Sequence, residues 1–275
     1  MVNTGVKQRK NCLEKRDYCK MWKFTPVGKK PKLHHPILMV GLPGIGNVGK
    51  ITVDFLVDNL KAKKIYDIFS YTFPNSVFVT ENNLIELISM SIFHKNVNGK
   101  DILFLAGDVQ PTEDVASYEF CDEILKIMKA QGCKEIVTIG GIGLADLPNK
   151  PQVYITGNSR KFIDEYKKGI KVNDKIYGVV GPIIGISGLL AGLGGKFGID
   201  VVCLLAETFG HPMYIGAKGA RVVLKALDIK LGLELDFKSL DKEIKEMESD
   251  LIKRVSDLED LAKQKSPGES TSYIG

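Results

Sequence analysis

The chain has 275 residues, 44% of them apolar and 26% charged, the composition of a globular protein rather than a disordered or fibrous one. Its formal charge of +5 belongs to the first 35 residues, which hold ten Lys/Arg against Glu14 and Asp17, and residues 36–275 are slightly acidic. Five cysteines (Cys12, Cys19, Cys121, Cys133 and Cys203) stand apart with no C-x-x-C pair, which argues against a zinc or disulfide framework and for a reducing, cytoplasmic setting.

Residues 1–35 lack the apolar run of a signal peptide and read as a basic, solvated extension, so neither a nucleic acid nor a membrane is expected as partner. From residue 36 to about 228, short β-rich runs alternate with helical periods, the pattern of a sheet covered by helices. The runs 37–40, 102–105, 136–139 and 201–205 are nearly all apolar, as strands buried on both faces are. Stretches 69–73 and 84–92 flank a Pro74-Asn75 turn, and the second partly alternates, which predicts antiparallel pairing toward one edge. Helices are expected over 48–60, over 113–131 with Thr112 as N-cap and Gly132 as stop, and over 214–227.

The uncharged run 176–195 is long enough to span a bilayer. Seven glycines and Pro182 turn it instead into a buried strand at 176–180, a Gly181-Pro182 turn and a Gly-rich segment where backbones pack closely. The predicted fold is one three-layer α/β/α sandwich over 36–232, with a mixed, mostly parallel sheet of the phosphorylase or hydrolase kind. Beyond it Phe237, Leu240, Ile244, Met247, Leu251, Val255 and Leu258 recur at steps of three and four among charged residues. That spacing predicts a long amphipathic helix over 233–264 whose narrow apolar seam joins copies of the chain. Residues 265–275 read as a polar tether that ends in Tyr273, Ile274 and Gly275 and suits docking.

Gly44, Gly46 and Gly49 satisfy G-x-G-x-x-G at a strand-to-helix turn, yet the acidic residue that would hold a ribose about twenty positions on is missing. Gly44 to Lys50 approaches a phosphate-binding loop, with Ile51 where Ser or Thr would hold magnesium. No cofactor is expected, and the glycines read as a tight turn that packs helix on sheet. Gly185-Ile186-Ser187-Gly188-Leu189 fails as a nucleophile elbow at Leu189. No histidine or carboxylate cluster suggests a metal. The remaining polar candidates stand just after strands, where open α/β sheets bind ligands: Asp108, Gln110, Glu207 and His211, which with Gly44 and Gly46 mark a crevice. Asp108, Glu207 and His211 would be the acid and base groups of a small-molecule hydrolase or phosphorylase, the alternative to a non-enzymatic protein.

Four loops in order, Gly41-Leu42-Pro43-Gly44-Ile45-Gly46-Asn47-Val48-Gly49, Gly107-Asp108-Val109-Gln110-Pro111, Gly140-Gly141 and Gly181-Pro182-Ile183-Ile184-Gly185-Ile186-Ser187-Gly188-Leu189, resemble the proteasome assembly chaperone two family, above all its archaeal members. The likeness covers roughly residues 36 to 230. It implies an α/β/α domain similar to nucleoside phosphorylase folds, no established catalytic activity and homo-oligomers. It also implies action on the 20S proteasome or its α subunits, alone or with a second chaperone, as an assembly factor or ATP-independent activator. Residues 233–264 would be the helix that bundles subunits. The family docks through a C-terminal tail of hydrophobic residue, tyrosine and any residue. That role would fall on Tyr273, Ile274 and Gly275, although Tyr273 stands third from the end rather than second.

Overall fold

The computed structural model describes residues 21–178, 180–238, 240–242 and 244. In chain order the elements are β1 (Trp22–Pro26), β2 (Ile37–Gly41), a 3-10 turn (Ile45–Asn47), α1 (Val48–Asn59), β3 (Lys63–Ser70), β4 (Val77–Val79), β5 (Ile85–Leu87), β6 (Met90–Val97) and β7 (Lys100–Gly107). Then come α2 (Asp114–Ala130), β8 (Glu135–Leu144), β9 (Val153–Gly157), α3 (Arg160–Tyr166), α4 (Ile186–Phe197), β10 (Asp200–Phe209) and α5 (Ala217–Leu231).

Eight strands form one sheet in the order β1-β3-β6-β7-β2-β8-β10-β9, and β4 pairs with β5 in a separate hairpin. The four apolar runs of the sequence fall in β7, β2, β8 and β10, which lie side by side and parallel. Antiparallel strands complete the sheet, β6, β3 and β1 on one flank and β9 on the other. Helices cover both faces. On one, α1, α3 and α5 bury Val53, Leu56, Phe162, Val223 and Leu227 against Met39, Phe104, Val137 and Leu204. On the other, α2 and α4 bury Phe120, Ile124, Leu125 and Leu190 against Leu38, Leu103, Leu105 and Ile136. The expected three-layer architecture is thus present with a mixed sheet, but the sheet is not mostly parallel, since four of its seven neighbouring strand pairs are antiparallel.

Several local expectations are corrected. The sheet reaches into the supposed leader, because Trp22 is buried between sheet and α2, its indole donating to the Ala116 carbonyl at 3.1 Å. The 84–92 run splits: residues 85–87 form β5, and the strand that pairs with β3 starts only at Met90. The described residues of 176–180 form no named strand: Tyr177 is fully exposed and makes an isolated bridge to Val180. The Gly-rich segment after it is the helix α4. Glu113, not Thr112, occupies the N-cap of α2, without a side-chain cap.

The start of the C-terminal stripe is also spent within the subunit. Leu240 and Ile244 are buried in the chain's own core, Phe237 packs beside them, and Arg221 of α5 forms a two-pronged ion pair with Asp241. Leu240 and Ile244 are thus buried within the subunit, and Phe237 is partly buried beside them. Met247, Leu251, Val255 and Leu258, like Tyr273, Ile274 and Gly275, lie outside the described residues.

Candidate functional site

The carboxyl ends of β2, β7, β8 and β10 share one edge of the sheet. There the chain leaves β2 through α1 toward β3 on one side, whereas β8 leads by way of β9, α3 and α4 to β10 on the other, so the connections diverge between β2 and β8. Open α/β sheets keep their ligand crevices at such a point. A pocket of about 530 Å³ lies there, lined among others by Pro43, Gly44, Ile45, Gly141, Ile142, Ile183 and Ile184, with no charged side chain in its wall.

Gln110 holds this wall together. Its amide nitrogen donates to the Pro43 carbonyl at 2.7 Å, and its amide oxygen accepts from the Ile186 N–H at 3.3 Å. One side chain thereby ties the loop after β2 to the start of α4. The glycines of the loop serve packing. A methyl group on Gly49 would overlap the Ile139 carbonyl, and one on Gly141 would overlap the Ile45 carbonyl. Gly46 has φ +60° and passes against the buried Thr208 side chain. Only Gly44, with open space around its Cα, is free of such a constraint among the glycines of this loop.

Lys50, the last residue of the phosphate-loop likeness, points elsewhere. Its ammonium reaches Asp54 at 2.9 Å, and Asp108 and the Gly107 carbonyl at 3.3 Å each. Burial alone would lower its pKa, but the two carboxylates raise it, so the group stays charged and committed. Asp108 accepts in turn from the Ser89 hydroxyl at 2.8 Å and the Ser89 N–H at 3.1 Å. Burial pushes this carboxyl up, and the Ser89 donors together with Lys50 more than offset that, leaving it below the usual range. Asp108 is a junction of α1, β7 and the start of β6.

Glu207 is committed as well, accepting from the Gln152 N–H at 2.9 Å and the Tyr154 hydroxyl at 3.3 Å. Burial first, and the Glu207 charge second, push the Tyr154 phenol upward. His211 accepts from the Met213 N–H at 3.2 Å and stacks on Phe209. β2 and β8 lie between β7, which ends beside Asp108, and β10, which carries Glu207, so three strand spacings separate these positions, about 14 Å. Asp108 also faces the helix α1, whereas Glu207 meets Tyr154, which packs with Cys203 and Leu205 away from α1. The structure does not bring Asp108, Glu207 and His211 together, and none of them lines the pocket. Of the crevice residues named from sequence, Gly44 and Gln110 line it. Among the described residues no group of three or more His, Cys, Asp or Glu could hold a metal, and no helix is long and apolar enough to cross a membrane.

Sequence reasoning missed the apolar surface at this edge. Val77, Phe78, Val79, Leu84, Ile85 and Leu87 of the β4–β5 hairpin are 47–71% exposed. Ile45, Tyr71, Val115, Tyr118, Leu147, Ile184, Met213 and Ile215 are exposed in neighbouring loops and first helical turns. Of the large exposed apolar side chains among the described residues, only Tyr177 and Ile229 lie elsewhere.

The PAC2 family matches residues 38–255, which spans the sheet from β2 onward, all five helices and the C-terminal stripe as far as Val255. The chain belongs to the PAC2 family. PbaB of Pyrococcus furiosus, an archaeal proteasome activator, superposes with a TM-score of 0.76 and 32% identity, over 85% of this chain and 98% of that one. PbaA of the same organism, an archaeal homologue of proteasome-assembly chaperone, shares the fold with a TM-score of 0.71 and 24% identity, over 89% and 96% of the two chains. The uncharacterized protein MJ1210 of Methanocaldococcus jannaschii is 30% identical over 249 residues, 88% of this chain and 93% of the relative. This PAC2 chain is therefore similar along nearly the whole length of each relative.

Proposed function

We propose that this chain is a non-enzymatic proteasome factor, an assembly chaperone or ATP-independent activator, whose partner is the 20S particle or its α subunits. The observation that carries the reading is the likeness to the activator PbaB, 32% identical with 98% of that chain covered. The strand ends agree with it. Asp108 and Glu207 are held in internal hydrogen bonds on different strands, and what the edge offers instead is exposed apolar surface, the property of a face that meets another protein.

In this reading the crevice and the β4–β5 hairpin face the partner, copies of the chain assemble through the segment beyond Ile244, and Tyr273, Ile274 and Gly275 supply a docking contact. Several tails on one assembly reinforce one another, because linked weak contacts bind at effective concentrations near millimolar. Peptide hydrolysis by archaeal 20S particles without nucleotide is expected to rise when the full chain is added. With a chain lacking residues 272–275 it is expected to stay at its basal rate. A full chain that neither binds nor stimulates the particle sets the reading aside.

A further inference from the structure

β8 is longer than its neighbour on the crevice side. Its ladder with β2 ends at Val40 against Thr138, whereas its ladder with β10 runs on to Phe209 against Leu144. Residues 139–144 therefore have a strand on one side only. The carbonyls of Lys134, just before β8, and of Leu144, at its end, both accept from N–H groups on the β10 side, those of Asp200 and Gly210, at 2.9 Å each. Even-numbered residues of β8 thus bond toward β10 and odd-numbered ones toward β2. Past the end of β2, the N–H and C=O of Gly141 and Gly143 point into the crevice, and none of the hydrogen bonds among the described residues reaches them.

The loop after β2 leaves this edge open. It crosses on the face of the sheet that α1 covers, where the Ile45 carbonyl lies over Gly141 in the place a side chain would take. Val137 and Ile139, earlier on the same strand, face that layer too. On the other face Gly140, which also lines the crevice, carries no side chain to fill the opening.

An unpaired edge is the part of a sheet that takes up another strand. Gly141 and Gly143 repeat their donors and acceptors about 7 Å apart, the spacing at which an extended chain presents its own. Electrostatic complementarity sets the rest. The pocket of about 530 Å³ has no charged side chain in its wall, so a charged occupant would lose its hydration without gaining a partner. Ile45 and Ile184, which line it, are exposed and continue into the apolar face around it. We infer that the crevice binds an extended, uncharged, apolar segment of a partner protein, added as a strand along Gly141 and Gly143 of β8.

This inference rests on the preceding reading only in taking the partner to be a protein, and its test starts without the proteasome. Hydrogen exchange of the full chain is followed over residues 139–144, alone and with the capped peptide acetyl-Thr-Val-Ile-Val-Thr-amide at millimolar concentration. The peptide is expected to slow exchange at Gly141 and Gly143 at least about threefold, and the same peptide with aspartate in place of isoleucine to leave it unchanged. Gly143→Pro removes one donor and is expected to abolish the slowing at Gly141, whereas Gly143→Ala, which crowds the site similarly but keeps the N–H, retains it. Circular dichroism confirms that both variants keep their fold. No slowing by the uncharged peptide, equal slowing by the charged one, or slowing that survives in folded Gly143→Pro would each overturn the inference. Archaeal 20S particles are expected to protect the same residues, and protection by the peptide but not by the particles would overturn only the choice of partner.

Discussion

Gly49 and Asp108 are where the sequence likenesses to enzymes and the structure part company. Gly49 sits in the first turn of α1, where alanine would ordinarily gain about 1 kcal/mol of helix propensity. Here the added methyl overlaps the Ile139 carbonyl, so Gly49→Ala is expected to cost about 2 kcal/mol in urea unfolding, while Gly44→Ala is close to neutral. Equal effects of the two would contradict the packing role. Asp108→Asn is expected to cost about 1 kcal/mol at pH 7, because it removes the charge that Lys50 and Ser89 solvate. The folded carboxyl lies below its ordinary value, so its stabilisation is full above the normal carboxylate range and is lost as pH falls through the folded pKa. The difference between wild type and Asp108→Asn is therefore expected to shrink below about pH 4, and a difference that grows with acid contradicts the assignment. The glycine turn is legible in sequence, since its motifs are incomplete at Ile51 and at the ribose position. The bond from Asp108 to Ser89 is not, because only the antiparallel pairing of β6 and β7 brings residues 19 apart into contact.

At the level of elements, periodicity identifies what is long and apolar and misses what is held by distant partners. The four central strands and helices α1, α2 and α5 are legible because their buried faces are written in consecutive or helically spaced apolar residues. β1 is not, being five residues long with Pro26 at its end, which an edge strand tolerates. Its one signal is the alternation of Trp22 and Phe24 with Lys23 and Thr25. Trp22→Ala is expected to cost about 3–5 kcal/mol in thermal or urea unfolding. A Trp22→Ala chain as stable as wild type would put β1 outside the cooperative unit. α4 is hidden by glycine's poor helix propensity, which tertiary contact overrides: Gly188 lies where a methyl would overlap the Ile183 carbonyl, and Gly194 where one would press on Val201. The stripe beyond Gly232 shows the converse limit, since its spacing gives an apolar face but not which surface covers it. Leu240 and Ile244 turn inward to the same core as Leu227.

For the whole molecule, one edge of the sheet gathers the crevice and nearly all the exposed apolar side chains among the described residues. A two-stranded hairpin of three-residue strands with its apolar side chains outward gains little from standing alone in water. Phe78→Ser with Ile85→Ser is therefore expected to leave the unfolding free energy within about 0.5 kcal/mol of wild type. The same pair is expected to weaken binding to 20S particles about tenfold, as about 1.4 kcal/mol of lost apolar contact would. Unchanged binding would remove the hairpin from the partner face. The most direct measurement is co-sedimentation of the purified full chain with archaeal 20S particles at low and moderate salt. The chain is expected to pellet with the particle at both, and to remain in the supernatant when the particle is omitted. A chain that stays in the supernatant at both salts, with its fold intact, contradicts the assignment of the proteasome as its partner.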